Sequence, residues 1–358
     1  MATKAKKSDP TPAQLTGHGQ EGFDAAEWER NNVHDVYSSI ASHFSATRYK
    51  PWPLVSSFLA SLPAGSIGVD VGCGNGKYLH LRNALHPEAG EEQQRNDCLT
   101  IGLDRSRELV SLAQSQTLAR MSDPSSSSSS SNGSSSSSLP PSTWLNEVTV
   151  ADGRAPHFRA HAFDYAISIA TVHHFSTRER RREAVKEIVR LVKPRPPCEE
   201  DDINEQDGGA AVPASEMSQG RRRSGRGRGR FLIYVWALEQ RGQERRKFDE
   251  QDARRRAEEQ AAATEGQKAE GRDVMVPWML KSGAQLKLDD GQEEQQGGEV
   301  YQRYYHLFEA TELEALVEEA VADMSGITVR REDSGWERGN WWGVWQVVDA
   351  MASSQASN

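Results

Sequence analysis

Cysteine is scarce: the 358 residues hold three, Cys73, Cys98 and Cys198. They are odd in number, far apart and form no CxxC pair, so neither a disulfide framework nor a zinc site is expected. A reducing compartment, cytoplasm or nucleus, fits that usage. No apolar run reaches the roughly 18–20 residues that span a bilayer, so no membrane association is expected. The opening MATKAKKSDP lacks the apolar stretch of a secretory signal, and none is expected. Apolar residues are few, 36% against 27% charged, which places much of the chain outside a core. The net charge of -9 excludes a surface coated in nucleic-acid-binding charge while leaving room for local basic strips. A GxxxxGK[ST] phosphate loop is also missing.

What is present divides into polar stretches and a regular alternation. Residues 1–26 read as a disordered tail and 351–358 as a second one. Between them, 27–350 reads as one domain with flexible insertions at 121–143, 195–229 and 240–299. The first insertion carries a serine run from Ser125 to Ser138, broken only by Asn132 and Gly133, which buries nothing. The second is acidic, then arginine-rich. In the third, VMVPWML (274–280) stands out as an apolar piece that docks on the core. With these removed, short apolar runs predict strands at 66–72, 99–104, 147–152, 163–170, 230–237, 327–333 and 342–348. Helical periodicity appears at 33–44, 106–119, 178–192 and 310–322. The alternation predicts an α/β fold, a mostly parallel, Rossmann-like seven-stranded sheet with helices on both faces. The last two strands leave no room for a helix and predict an antiparallel edge hairpin.

The sharpest motif is Asp70-Val-Gly72-Cys-Gly74-Asn-Gly76, leaving the first strand. Glycines at alternate positions permit a tight turn and close backbone approach to a ligand. The spacing is GxGxG, and Lys77 stands where a dinucleotide site has its third glycine. The ligand therefore needs an acid before the turn more than a pyrophosphate site after it. S-adenosylmethionine (SAM) fits, having no phosphate, an amino-acid end and a sulfonium cation. Asp104 ends the second strand, where an acid reaches ribose hydroxyls. Asp152 ends the third and could accept the adenine amino group, with a plain turn aspartate as its rival.

Three acids at three successive strand ends resemble the class I SAM-dependent methyltransferase pattern. Further stretches narrow the resemblance: HFSATRYKPWP (43–53), VHHFSTRERR (172–181), VPWML (276–280), RYYHLFEATEL (303–313) and GWERGNWWGVW (335–345). Together they resemble the eukaryotic tRNA wobble-uridine carboxymethyl methyltransferases. That resemblance implies methyl transfer from SAM to the carboxylate of 5-carboxymethyluridine in a tRNA anticodon stem-loop, and a small zinc-binding activator subunit as partner. An acceptor carboxylate is ionised at neutral pH and needs no general base; it needs positioning. Arg48 is the leading clamp, since arginine grips a carboxylate with two parallel hydrogen bonds; pairing with a surface acid is its rival role. His173 and His174 follow the fourth strand beside the expected transfer point, and one of such a pair is often structural. Tyr49, Trp52 and Trp278 are candidates to stack on the base or to pack the core. Arg178, with Arg180, Arg181 and Arg182, and the six arginines of 221–230 are candidate RNA contacts. A small-molecule methyltransferase acting on a quinone or lipid, and an inactive binding subunit, remain alternatives.

Overall fold

The computed structural model describes residues 11–13, 22–48, 50–81, 98–122, 147–195, 228–240, 272–280 and 299–350. The serine run, Cys198, most of the arginine-rich strip and the 351–358 tail lie outside them.

The predicted strands form β2 (Ile67–Val71), β3 (Leu99–Asp104), β4 (Val148–Val150), β5 (Tyr165–Ile169) and β6 (Arg230–Trp236). They are followed by the hairpin β9 (Ile327–Glu337) and β10 (Asn340–Asp349). The sheet order is β4-β3-β2-β5-β6-β10-β9. β4 to β6 run parallel; β10 is antiparallel to both β6 and β9. The hairpin turns through Arg338 and Gly339 at φ 50° and 73°, a two-residue turn whose twist matches that of paired strands.

β5 is buried along its whole length, as a central parallel strand between two helical layers should be. Its alternate residues serve opposite faces. Ala166 packs with Val185, Ile188 and Leu191 of α5 (Arg178–Leu191) and with Leu313 and Leu316 of α6 (Glu312–Val321). Tyr165 and Ile167 pack with Val55, Phe58 and Leu59 of α3 (Pro53–Ala60). Proline at the first helical position starts α3, where its missing N–H costs nothing. α4 (Arg107–Ser122) follows β3. Ahead of the sheet, α1 (Ala25–Glu29), a π-helical turn (Arg30–His34) and α2 (Asp35–Thr47) run on continuously.

Two features depart from the sequence reading. Thr11–Pro12 (β1), inside the expected tail, pairs with β7 (Asp273–Met279), inside the expected flexible insertion. β7 in turn pairs with β8 (Val300–His306), completing a second, three-stranded antiparallel sheet. Its hydrophobic face, with Trp278, packs on Val36 and Ile40 of α2. That burial orders these strands, and it makes β8 one wall of the site.

Candidate cofactor and acceptor site

The chain order reverses between β2 and β5, which lie side by side while β3 and β4 extend one way and β6 the other. A crevice at the carboxyl ends of such strands is where open α/β sheets bind ligands. Here it is a cavity of about 720 Å³. The loop after β2 forms its base. Gly72 has φ 83°, and a Cβ there would lie 2.1 Å from Thr171 Oγ1. Gly76 has φ 76°, and a Cβ there would meet Ala113 of α4 at 2.8 Å. Glycine at 72 thus lets the loop close on the β5 loop, and at 76 lets it close on α4. Gly74 lines the cavity at φ 55°.

Asp70, next to last in β2, is almost wholly buried, and neither carboxylate oxygen has a hydrogen-bond partner among the described residues. Burial, reinforced by the nearby Asp104 charge and opposed by Lys77, pushes its carboxyl up to about 8. An acid so placed is incomplete without a cation. A ligand with an ammonium and a sulfonium group meets that need. Asp104 is held by backbone N–H groups: Gly74 donates to Oδ2 at 3.0 Å and Ser106 to Oδ1 at 2.9 Å. Its orientation is therefore fixed by the loop that shapes the cavity, and remaining lone pairs suit vicinal hydroxyls. Asp152 lines the cavity too, but Arg105 (2.7 Å) and Arg154 (3.2 Å) hold its Oδ2, and the Arg154 N–H reaches Oδ1 at 2.9 Å. The turn role and the cavity position therefore coexist at Asp152.

On the acceptor side, Arg48 ends α2 at the exposed rim, its guanidinium 5.6 Å from the Trp278 ring centre. Trp52 lines the cavity between Tyr234, with ring centres 5.0 Å apart, and the Lys77 ammonium at 5.5 Å. Lys77 is itself lowered to about 8, burial and Arg48 outweighing the pull of Asp70. Trp278 takes the packing alternative over stacking: it is buried against α2, not on the cavity wall. It supplies a platform under two arginines. Tyr49 lies outside the described residues.

The two histidines differ. His173 is fully buried and its Nδ1 accepts the Trp236 N–H at 3.0 Å, which places the proton on Nε2. His174 Nδ1 lies 2.8 Å from the Tyr304 carbonyl, which only accepts, so this nitrogen carries the proton. Its Nε2 must then accept from the Tyr37 hydroxyl at 3.1 Å, and Tyr37 accepts from Tyr305 at 2.9 Å. Burial drives His174 down to about 3; it is a neutral brace between α2 and β8 with both ring nitrogens engaged.

The arginines of α5 are committed elsewhere. Arg178 makes two hydrogen bonds to Glu319, Arg180 two to the buried Glu29, and Arg182 one to Asp323. Arg181 is buried and donates to the Phe175 carbonyl. None of the four lines the cavity. They tie α5 to α6 and α1, which weakens the reading of this run, Arg178 included, as an RNA strip. The cavity instead gathers Arg48, Lys50, Lys77, Arg105, Arg303 and Arg338. Arg303 and Tyr305 were missed in sequence; their two-residue spacing on β8 puts both on one face.

A family model described as a methyltransferase domain matches residues 69–195. The chain is 34% identical over 324 residues to the Schizosaccharomyces pombe protein named tRNA (carboxymethyluridine(34)-5-O)-methyltransferase, covering 88% of this chain and 96% of that one. It is 32% identical to the Xenopus tropicalis alkbh8 protein of the same name, covering 95% of this chain but only 43% of the frog protein. Among solved structures, a complex of the Haloferax volcanii Trm112 methyltransferase activator with a methyltransferase aligns at TM-score 0.42 and 15% identity, over 88% of this chain and 97% of that one.

Proposed function

The chain belongs to the tRNA (carboxymethyluridine(34)-5-O)-methyltransferase family, and from that premise we propose how its own residues methylate the wobble carboxylate. SAM supplies an electrophilic methyl group: a carboxylate oxygen forms the O–CH3 bond as the C–S bond breaks, leaving its electron pair on sulfur. No proton moves, so the residues bind and orient rather than act as acid or base. Asp70 offers its ionised carboxylate to the cationic end of SAM, and Asp104 reaches the ribose. The loop from Gly72 to Gly76 permits the close approach of both. Asp152 and its arginines border the place of the base. Across the cavity, Arg48 at the rim grips the acceptor, Trp52 offers a face to the uracil, and His173 presents an Nε2–H donor.

The observation that carries this reading is the division of charge: buried Asp70, whose carboxylate has no hydrogen-bond partner, on one side, and Arg48 and Arg303, which form no ion pair among the described residues, on the other. Anion and cation are thus drawn into one crevice, where desolvation strengthens each contact. The small-molecule alternative gives way to the tRNA enzymes that the chain matches over most of its length.

A small zinc-binding activator subunit and a cytoplasmic or nuclear location belong to the same proposal. The resemblance supports the subunit; the buried thiols Cys73 and Cys98, which form no disulfide among the described residues, are compatible with a reducing compartment. No helix among the described residues is long and apolar enough to cross a membrane. The test is nucleoside mass spectrometry of tRNA from cells lacking the protein. Loss of 5-methoxycarbonylmethyluridine with accumulation of its acid, or a product derived from it, is expected. An undiminished ester would overturn the reading.

A further inference from the structure

Arg303 is 4% exposed, yet no described carboxylate forms an ion pair with it, and its Nε has no hydrogen-bond partner. Its surroundings are neutral: the Trp278 ring centre lies 4.5 Å from its guanidinium carbon, the Tyr305 ring centre 5.3 Å away, and the Tyr37 hydroxyl is near enough to feel its charge. The other buried or half-buried arginines of this region face acids or carbonyls. Arg180 has Glu29, Arg154 has Asp152 and Glu183, and Arg181 has the Phe175 carbonyl. A guanidinium cannot shed its charge as a lysine can, and a buried charge without a partner is costly. Arg303 also lines the cavity, so an anion arriving there would complete it.

The structure around Arg303 holds it in place. It projects from β8 on the same face as Tyr305, whose ring is stacked on Trp236 at 4.1 Å. The chain from Tyr305 through Tyr37 to His174 has its hydrogen-bond direction fixed by the Tyr304 carbonyl, as above. Tyr37 therefore spends its only proton on His174 and can offer Arg303 nothing but its oxygen, an acceptor. The network orients the guanidinium without neutralising it.

We propose that Arg303 is the specificity-determining residue for the acceptor, pairing with the ionised carboxylate of the wobble base and rejecting the corresponding amide. The inference rests on the wobble-carboxylate reading above and deepens it: Arg48 grips from the exposed rim, while Arg303 reads charge from the buried wall. A carboxylate offers two acceptor oxygens to a fork of N–H donors. An amide offers one oxygen, carries no charge and brings N–H groups toward a cation. The neutral ester product is disfavoured for the same reasons, which aids release.

The test uses the full chain and two anticodon stem-loops, carrying 5-carboxymethyluridine or 5-carbamoylmethyluridine at the wobble position. Binding is measured with S-adenosylhomocysteine present, so that no turnover occurs, and SAM affinity is measured separately. The wild type should prefer the acid by on the order of 100-fold, the scale of a buried charge-assisted pair. Arg303→Gln should bind both stem-loops alike while keeping its SAM affinity. Arg303→Lys, with the charge but not the fork, should keep part of the preference; it decides the matter should the glutamine variant not fold. An unchanged preference in the variants overturns the proposal. So does a collapse of SAM affinity with the preference intact, which would assign Arg303 to the methionine carboxylate. Turnover with SAM is assayed separately with the proposed activator subunit co-expressed; a wild type that then methylates neither stem-loop instead sinks the wobble-carboxylate reading itself, and this inference with it.

Discussion

At the scale of single residues, the site is a set of charges held apart until ligands join them. Asp70 shows this best. Burial, then Asp104, raise its carboxyl to about 8, so at neutral pH the unliganded protein mostly holds that proton. A cation beside it favours the ionised form, so SAM binding should release a proton near pH 7. Affinity should rise with pH up to about 8 and then level. The same group binds a proton in the folded state that the unfolded chain gives up near its ordinary value of 3.8. Its contribution to unliganded stability is therefore present at acid pH and lost as pH climbs toward 8. Asp70→Asn should remove the proton release and weaken SAM binding. Calorimetry in two buffers of different ionisation enthalpy reads this directly, and equal apparent enthalpies for the wild type would refute the assignment. Arg48 is the complementary case. Arg48→Ala should lower kcat/KM on carboxymethylated stem-loop by about 100-fold, using roughly 2–3 kcal/mol for a charge-assisted pair. SAM affinity should barely change, and Arg48→Lys should recover only part of the loss. A mutant that binds SAM poorly but turns over the acceptor normally would place Arg48 in the cofactor pocket.

At the scale of elements, the second sheet is what the site depends on and what the sequence concealed. Its anchor is a buried polar knot. His306 lies 3.0 Å from Asp273 and 2.9 Å from Glu312, and the Tyr304 hydroxyl donates to Asp273. This knot joins β7 and β8 to the start of α6. Burial pushes Glu312 up, but the His306 hydrogen bond and charge, with the Glu309 N–H and Arg272, outweigh it and bring Glu312 to about 2. A depressed acid contributes stability above its unfolded value, lost as pH falls from about 4.5 to about 2. Glu312→Gln should therefore be less stable than wild type at pH 7, by about 1–3 kcal/mol, with the gap closing in that acid window. Denaturation at pH 7 and pH 2.5 checks it; a gap of the same size at both would deny the knot its role. The seven-stranded sheet was legible because its strands are short apolar runs ending in turns. β8 was not, because Gln302 and Arg303 interrupt its apolar pattern, and its partner β7 sits within a long polar stretch. α3 was not, because it opens on Pro53 and is only eight residues long, too short for a helical period to show. In the site, the glycines, Asp70 and Asp104 were legible from position alone. The α5 arginines misled, because Glu319 and Asp323 lie 141 residues from their partners Arg178 and Arg182, and no spacing rule reports such a pairing. Arg303 was hidden for the converse reason: only the fold shows which arginine lacks an acid.

At the scale of the whole molecule, the main sheet ends unequally. The β9 end is an eleven-residue strand carrying Arg330, Arg331, Glu332 and Asp333, charges that discourage pairing with a second chain. The β4 end is three residues long, Val148, Thr149 and Val150, with Val150 49% exposed. Among the described residues β4 pairs with β3 alone. Its outer edge offers backbone N–H and C=O groups beside an apolar side chain, the features that invite strand addition or aggregation. The proposed activator subunit is the partner that would cover this edge. The chain alone should then be poorly soluble or weakly active, and co-expression with the activator should give a monodisperse heterodimer. Val150→Lys tests the location, since a lysine at an open edge is tolerated in the free chain but must be desolvated on docking. The variant should lose the heterodimer in size-exclusion chromatography while binding SAM as before, because β4 touches the cofactor cavity only through the following loop. A variant that still forms the complex would move the docking surface away from β4. A wild-type chain that is monodisperse and fully active by itself would remove the need for a partner at that edge.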